Sequence, residues 1–464
     1  MTMVLPHGPS FHQVPKPSSR AEPLAMPPGR LDTYAACSRG DNMRSENRRE
    51  VSRRQFLRRG SATALIAMAG VRPAYGANDK IVVAAIGTSR DERGADGRGT
   101  HLARCLAGCP NTEVAYVCDV DKRNVEKAIE SVSQVQKQPP QGVTDLRRIL
   151  DDPAVDAICI ATPDHWHAPA AILACQAGKH VYVEKPCSHN AREAELLVAA
   201  ARKYDRRVQH GTQRRTWPVT VEAVQKLRSG AIGKLYQARC WYFSSRPSIG
   251  RGQATPIPDW LDWPLWQGPA PDRPYRDNIV HYHWHWFWHW GTAELGNNGV
   301  HTIDVCRWGL GVDFPKKVTC AGGRYRYEDD QETPDTTFCT MDFGDKTITW
   351  EARSCWGRTA LDPQYDCAFY GDQGILTIAG GSYAIYDLKD KQIGQGSSSG
   401  GDVTHLQNFL DAIRGSAPLN AEIEEGYKSV LLCHLGNISY RLGRTVRLDP
   451  ATRRIAGDKR PRAC

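Results

Sequence analysis

The sequence predicts an α/β fold in two halves, with a parallel sheet first and mostly antiparallel strands after it. Short apolar segments that are each followed by a helical pattern predict the parallel sheet. Short strands separated by Gly, Asp and Pro turns predict the antiparallel one. A chain of 464 residues can form two such domains. We expect a leader at 1–78, the domains at 79–212 and 213–455, and a tail at 456–464.

The first half contains one well-defined strand–helix–strand unit. Residues 155–160 and 180–183 are apolar runs typical of buried parallel strands, and 164–178 has the apolar spacing of a helix. A right-handed unit of this kind places Thr162 and Lys185 at the carboxyl ends of its strands. Ligands bind at that edge in doubly wound sheets.

Lys185 stands between Glu184 and Pro186, directly after a buried strand. This is an uncommon place for a purely structural cation. We therefore expect Lys185 to act in a functional site, with Glu184 orienting it.

A glycine-rich turn follows an earlier buried strand at 80–86. The turn reads Gly87-Thr88-Ser89, then an insertion (90–96), then Gly97-Arg98-Gly99 before a helix over 100–106. This is a GxGxxG pattern stretched by the insertion, and the helix that follows such a turn holds a pyrophosphate at its N-terminus. Contacts to that group are expected from Gly87, Thr88, Ser89, Gly97 and Gly99.

The next strand, at 114–118, ends in Asp119. An acidic side chain at that position accepts hydrogen bonds from a ribose 2′-hydroxyl and repels a 2′-phosphate, which favours NAD over NADP. The alternative is that Asp119 only caps the following helix. Asp121 could cap that helix equally well.

The net charge of +9 does not indicate a nucleic-acid partner, because residues 1–76 carry +7 of it and the rest only +2. The 15 cysteines form no CxxC pair. Most are therefore predicted to be small buried hydrophobes rather than disulfides or metal ligands.

Residues 1–42 are rich in Pro, Ser and Gly and predict disorder. Met43 is a candidate initiator, since Ser52-Arg53-Arg54-Gln55-Phe56-Leu57 precedes an apolar run at 62–70 and small residues at 74–76. The run is too short to span a bilayer. The order Ser-Arg-Arg-x-Phe-Leu resembles a twin-arginine (Tat) signal, which implies export of the folded protein by the Tat machinery to the periplasm or another extracytoplasmic space. The alternative is an amphipathic basic N-terminus.

The second half is predicted to contain six strands and two C-terminal helices. The helices are expected at 404–414 and 423–442. The strands are expected at 234–243, 317–327, 336–343, 347–353, 366–371 and 375–378.

Two aromatic stretches interrupt these strands. Residues 259–275 are rich in Trp and Pro, and their rings either stack on sugar C–H faces or pack as a loop. In the His/Trp stretch at 281–290, His281, His285 and His289 would align on a helix, and these three with His283 would share one face of a strand. Either set could hold zinc. No carboxylate or Cys completes either set, so we predict no metal. We predict instead a packed aromatic wall in which one or two residues, His285 among them, face a sugar.

A helix over 296–308 is the second candidate for chemistry. Its apolar spacing is expected to place Asn297, His301 and Asp304 on one side. A lone histidine on a helix is more often a core residue than a catalyst.

Together these motifs resemble the Gfo/Idh/MocA family of oxidoreductases, which includes glucose–fructose oxidoreductase and inositol dehydrogenase. The resemblance covers 79–455. It implies a Rossmann domain followed by an α/β domain on a large, mostly antiparallel sheet, whose exposed face would pair copies into a homo-oligomer. The motifs that carry it are Glu184-Lys185-Pro186, Thr162-Pro163-Asp164-His165-Trp166-His167 and Gly211-Thr212-Gln213-Arg214-Arg215.

The resemblance also implies roles for residues. The helix that carries His301 would face the nicotinamide, with His301 as proton acceptor. Asn297 stands where an Asp is frequent, and it can hydrogen-bond to a hydroxyl but supplies no charge. Lys185 suits the stabilisation of a developing alkoxide. Further NAD contacts are expected from Thr162, Pro163, His165, His167, Glu184, Lys185 and Gln213, and substrate contacts from Lys185, Arg214, His285, Asn297 and His301.

Three functions fit this pattern. The first is an exported NAD-dependent dehydrogenase of a small sugar, sugar derivative or cyclitol. The second is an NAD-dependent glycosidase with a tightly held cofactor, in which transient oxidation at C3 and elimination cleave the glycoside without net redox change. The third is a sugar-binding protein that has lost turnover, against which the presence of both Lys185 and His301 argues.

Overall fold

The computed structural model describes residues 79–89, 96–364 and 366–456. The leader with its twin-arginine motif, the insertion residues 90–95 and the tail after 456 lie outside the described residues. Within the described ranges, no helix combines the length and the apolar character needed to cross a membrane.

Strands and helices alternate through the first half, as the sequence predicts. Their bounds are β1 Ile81–Ile86, α1 Arg98–Ala107, β2 Thr112–Cys118, α2 Lys122–Ser133, β3 Gln141–Val143, α3 Arg147–Asp151, β4 Ala157–Ile160, α4 Asp164–Gln176, β5 His180–Val183, α5 Ala191–Lys203 and β6 Val208–His210.

The six strands form one parallel sheet in the order β3-β2-β1-β4-β5-β6. Strands β1, β4 and β5 are almost completely buried. Burial on both faces is what a parallel sheet covered by crossover helices produces, and it explains the continuous apolar runs in the sequence. The strand order reverses between β1 and β4, so a crevice forms at their carboxyl ends.

The second half begins with α6 Pro218–Arg228 and is dominated by strands. The remaining bounds are β7 Leu235–Ser245, α7 Trp263–Gln267, α8 Val300–Leu310, β8 Lys317–Gly323, β9 Thr336–Asp342, β10 Thr347–Arg353, β11 Cys355–Trp356, β12 Cys367–Gly371, β13 Gly374–Ala379, β14 Ser382–Asp387, β15 Gln392–Ser397, α9 Asp402–Ile413, α10 Ile423–Leu442, β16 Val446–Asp449 and β17 Arg454–Ile455.

These strands form a large sheet in the order β15-β14-β13-β12-β7-β10-β9-β8-β16-β17, with β11 paired to β7. The expected antiparallel pairing is confirmed except in the centre, where β10 runs parallel to β7. The strand predicted at 317–327 ends early, at Gly323. The chain turns there because the Arg324 guanidinium binds the Tyr327 carbonyl and the Asp329 carboxylate.

Helix α10 connects the two halves. It is buried along most of its length and packs against β8 of the large sheet, against α5 of the first domain and against α8. One hydrophobic cluster therefore contains residues of both sheets. This shared core fixes α8 relative to the crevice of the parallel sheet.

All thirteen cysteines in the described ranges are unpaired, and twelve are buried.

Candidate active site

A cavity of about 320 Å³ lies at the carboxyl edge of the parallel sheet. One wall consists of the residues that follow β1, β2, β4 and β5. The other wall comes from the second half, mainly from the segment Asp259–Trp290 between β7 and α8, which we name the strap. Pockets of this size at a topological switch point bind cofactors and small substrates.

The glycine turn packs tightly against the sheet. Gly87 has a φ of +85°, and a Cβ there would stand 2.5 Å from the Thr162 amide nitrogen. A Cβ on Gly99 would stand 2.0 Å from the Gly87 carbonyl oxygen. Helix α1 then begins at Arg98; the preceding Gly97 provides no side-chain cap, and the first turn of the helix contains no acidic residue. Its first amide groups are therefore available to an anionic ligand.

Asp119 lines the cavity at the end of β2. It accepts a hydrogen bond from the Asp121 amide at 2.9 Å, and burial raises the pKa of Asp119 to about 6. Asp121, and not Asp119, caps α2, by accepting from the Arg123 amide. The carboxylate of Asp119 is thus not required as a helix cap.

The residues around the cavity fit a dinucleotide. Helix α1 offers amides to a pyrophosphate, and Asp119 offers a carboxylate to ribose hydroxyls. The hydroxyl oxygen of Thr162, a cavity residue, is buried and has no hydrogen-bond partner among the described residues. An orphaned hydroxyl beside the glycine turn is what a polar ligand would satisfy.

Lys185 reaches across the cavity to the second domain. Its Nζ donates to the Asn297 carbonyl oxygen at 2.8 Å and to Asn297 Oδ1 at 3.1 Å. Burial holds the pKa of Lys185 below its ordinary value, against the opposing charges of Glu184 and Asp164. An ammonium desolvated in this way interacts strongly with charge that develops nearby.

Glu184 does not orient the Lys185 ammonium directly, contrary to the expectation from sequence. Its carboxylate accepts from Arg98 Nε at 2.7 Å and from the Lys185 amide at 3.1 Å. Burial alone would raise the pKa of Glu184, but the charges of Arg98 and Lys185 hold it below its ordinary value. Arg98 is fixed in turn by two 2.8 Å hydrogen bonds to Asp402.

Asp164 is a cavity residue that sequence reasoning did not single out. It is buried at the start of α4 and accepts from Thr292 Oγ1 at 2.5 Å. Burial raises the pKa of Asp164 to about 7, although the Thr292 hydrogen bond and the Lys185 charge oppose this shift. Its position inside the Thr162–His167 motif was the only signal in the sequence.

His285 projects from the strap into the same cavity. Its ring is stacked on Trp284 with 3.6 Å between centroids, and its Nδ1 is 2.6 Å from the Tyr282 carbonyl oxygen. Because a carbonyl only accepts, Nδ1 carries the proton and Nε2 is an acceptor. Burial holds the pKa of His285 well below its ordinary value, so the ring is neutral at neutral pH.

Helix α8 begins at Val300, four residues later than expected, after a π-helical turn at Leu295–Gly299. Asn297, in that turn, lines the cavity, whereas His301 is not among the lining residues. Burial and the charges of Lys185 and Arg214 hold the pKa of His301 well below its ordinary value. Asp304 is not among the cavity residues either, because its carboxylate is bound by Arg215 and Ser429 in the core.

The site residues predicted from the sequence divide into those that line the cavity and those that do not. Those that line the cavity are Gly87, Ser89, Gly97, Asp119, Thr162, Pro163, His167, Glu184, Lys185, His285 and Asn297. Those that do not are Thr88, Gly99, His165, Gln213, Arg214 and His301. His165 Nε2 donates a hydrogen bond to the Trp266 carbonyl oxygen at 2.9 Å. The Arg214 guanidinium donates one to the Asp366 carboxylate at 2.9 Å.

The His/Trp stretch is neither a helix nor a strand. It contains one 3₁₀ turn, His283–Trp286, and its buried indoles pack with those of Trp263 and Trp266, as the expected aromatic wall requires. Its imidazoles form hydrogen bonds with separate partners. His281 binds the Asp121 carboxylate, His283 the Asn278 carbonyl and His289 the Pro271 carbonyl. In the described part of the chain, no three metal-ligating side chains are grouped.

Comparison with known proteins identifies the architecture. Residues 83–212 match the model of an oxidoreductase family with an NAD-binding Rossmann fold, and residues 217–323 and 271–448 match two models of that family's C-terminal alpha/beta domain. The matched regions together cover most of the chain that the structure describes.

Two curated relatives share part of the sequence. Levoglucosan dehydrogenase of Pseudarthrobacter phenanthrenivorans is 30% identical over 171 residues, 36% of each chain. A glycosyl hydrolase family 109 protein of Stenotrophomonas maltophilia is 31% identical over 140 residues, 29% of each chain. The alignments thus span only about a third of the relatives' own lengths.

Solved structures share the fold. A levoglucosan dehydrogenase in complex with NADH and levoglucosan superimposes with a TM-score of 0.62 at 17% identity, over 80% of this chain and 99% of that one. The WlbA dehydrogenase of Bordetella pertussis in complex with NADH and UDP-GlcNAcA superimposes with a TM-score of 0.59 at 18% identity, over 80% of this chain and 99% of that one. Identities this low establish the fold alone. With the family models, the described fold and the glycine turn, they show that this chain belongs to the Gfo/Idh/MocA oxidoreductase family and carries its NAD-binding Rossmann domain.

Proposed function

We propose that this protein is an NAD-dependent oxidoreductase that acts on a sugar, a sugar derivative or a cyclitol. The observation that carries the proposal is the desolvated Lys185 ammonium, which lies in one cavity with Asn297, His285 and the groups that fit a dinucleotide. The relatives and neighbours named above include dehydrogenases of sugars, which supports this substrate class.

Oxidation of a secondary alcohol requires a base for the hydroxyl proton and a hydride acceptor beside the carbon. The nicotinamide of bound NAD supplies the hydride acceptor. Lys185 donates to the substrate oxygen and stabilises the negative charge that develops there. His301, kept neutral by its surroundings, accepts the hydroxyl proton. Asn297 and the acceptor Nε2 of His285 position further hydroxyls of the substrate.

The test is a single-turnover experiment with NAD-loaded protein and a panel of pyranoses, levoglucosan and inositols. We expect at least one of them to produce the NADH absorbance, and Lys185→Met to slow its appearance by about 10²–10³-fold. Absence of the signal for every compound, in protein that binds NAD, would refute the proposal for these substrates.

A second candidate is an NAD-dependent glycosidase that returns the hydride to its own product. The relatives named as glycosyl hydrolase family 109 proteins favour it. The two candidates differ in net chemistry. A dehydrogenase accumulates NADH in step with product, whereas the glycosidase releases an aglycone from a p-nitrophenyl glycoside without net NADH.

Export by the twin-arginine route is also proposed, on the Ser52–Leu57 motif. A reporter fused after residue 78 should reach the periplasm of a bacterial host, and Arg53→Lys with Arg54→Lys should retain it in the cytoplasm.

A homo-oligomer is proposed on the open face of the large sheet, where Phe338 is 51% exposed. Sedimentation should then give at least a dimer, and Phe338→Glu should weaken it.

A further inference from the structure

The strap leaves the second domain after β7 and crosses to the nucleotide side of the molecule. It contributes no strand to either sheet. Its interior is a separate aromatic cluster in which Trp263 and Trp266 stack with 4.8 Å between centroids and Trp290 packs edge-on against both. A segment with its own core keeps its shape as a unit.

The strap is attached to the loop that follows β2, the ribose side of the dinucleotide site. The Lys122 amide donates to the Trp260 carbonyl at 3.1 Å, and the Asp262 amide donates to the Val120 carbonyl at 3.0 Å. The Arg123 guanidinium lies 3.5 Å over the Trp260 ring. His281 Nε2 donates to Asp121 Oδ2 at 2.8 Å.

A second attachment lies at the start of α4, on the Lys185 side of the cavity. The Trp166 indole donates to the Leu265 and Trp266 carbonyls at 3.1 and 3.0 Å. His165 Nε2 donates to the Trp266 carbonyl at 2.9 Å. The two attachments therefore stand on either side of the crevice between β1 and β4.

Between these attachments, the strap lines the cavity opposite the glycine turn. The residues that do so are Leu265, Trp266, His281, Tyr282, Trp284 and His285. The cavity thus lies between the Rossmann edge and a segment that is fastened to the Rossmann domain at two places.

We propose that the strap is the second wall of the dinucleotide site and that its attachment through Trp260 and Arg123 keeps bound NAD(H) in place between turnovers. The inference rests on the dinucleotide site described above. A dinucleotide can leave the crevice only when this wall separates from the loop after β2. Release should therefore depend on residues of the strap that do not touch the ligand.

The test measures the rate at which bound NADH leaves the full-length protein, from the loss of its fluorescence when excess NAD⁺ is added. Trp260 does not line the cavity, so Trp260→Ala alters the attachment and not a ligand contact. We expect it to accelerate NADH release by about two- to fivefold, the effect of one solvent-exposed cation–π contact, since the Arg123 side chain is half exposed. Arg123→Met removes the same contact from the other side and should give a similar acceleration.

The matched control is Trp356→Ala, which removes an Arg–Trp stack of similar geometry, to Arg326 at 4.6 Å, away from the cavity. It should release NADH at the wild-type rate. If Trp260→Ala and Arg123→Met both release NADH as slowly as the wild type while melting at its temperature, the inference is wrong. A wild type that binds no NADH would instead contradict the proposed function itself.

Discussion

The two walls of the cavity are built in different ways. The Rossmann wall consists of residues that directly follow buried strands, and it carries the ionised groups Asp119, Glu184 and Lys185. The strap wall consists of irregular chain and presents neutral rings, Tyr282, Trp284 and His285. The first wall supplies charge for the cofactor and for the chemistry, and the second supplies shape, apolar surface and hydrogen-bond acceptors for a substrate.

The sharpest test of this division compares the two imidazoles near Lys185. His301→Ala should lower the rate of NAD reduction by about 10²–10⁴-fold, as expected for the loss of a general base. His285→Ala should cost only about tenfold, since it removes one positioning hydrogen bond. Rapid-mixing absorbance with the substrate identified from the panel measures both. The reverse order of effects would place the base on the strap.

The pH dependence sharpens the same assignment. Burial and the charges of Lys185 and Arg214 hold the pKa of His301 well below its ordinary value of about 6.5. A base must be neutral to accept a proton, so the rate should stay level as the pH falls through 6.5 and decline only below it. A decline centred near 6.5 that persists in Asp164→Asn, which removes the cavity carboxyl with a pKa of about 7, would contradict the assignment.

On the Rossmann wall, Lys185→Met should lower the rate of NAD reduction by about 10²–10³-fold, because the developing alkoxide loses its only adjacent ammonium among the described residues. NAD binding should change far less, and fluorescence titration with NADH checks this. Lys203→Met, at an exposed lysine, is the control for both readouts. An equal loss in the control would show that the effect is not local.

Asp119→Ser should shift the preference from NADH toward NADPH by about tenfold, because it removes a carboxylate that repels a 2′-phosphate. The measurement is the ratio of the two dissociation constants. Glu113→Ser, on the same strand but paired with Lys80, should leave that ratio unchanged. An unchanged ratio in Asp119→Ser would mean that the carboxylate does not face the ribose.

The smallest change in rate is expected at the contact between Lys185 of the Rossmann wall and Asn297 of the second domain. Asn297→Asp places a carboxylate beside Lys185 Nζ, which favours the ammonium and raises the pKa of Lys185. The alkaline limb of the rate profile should move to higher pH, with a change of about two- to fivefold in the maximum rate. An alkaline limb that moves to lower pH would contradict the contact between the two side chains.

Most of the Rossmann wall, though not Asp164, could be predicted from the sequence because its residues sit at fixed offsets from buried strands. Lys185, Thr162 and Asp119 follow their strands directly, and a parallel sheet brings such ends to one edge. The strap could not be predicted in the same way. Its shape depends on hydrogen bonds between carbonyls such as that of Trp266 and side chains about a hundred residues away.

The π turn at Leu295–Gly299 shows the same limit on a smaller scale. Helical spacing places Asn297 and His301 together only in a regular α-helix, and the turn interrupts that regularity. Asp304 looked available in the sequence because its partner, Arg215, is distant along the chain. Patterns predict residues that act through local geometry, and they do not reveal long-range partners.

The most direct test of the account is a single turnover of wild-type protein loaded with one equivalent of NAD⁺ and mixed with the sugar and cyclitol panel. At least one compound should produce bound NADH in the wild type, and the same compound should produce it about 10²–10³-fold more slowly in Lys185→Met. NAD⁺ that binds to the wild type but is reduced by no member of the panel would contradict it.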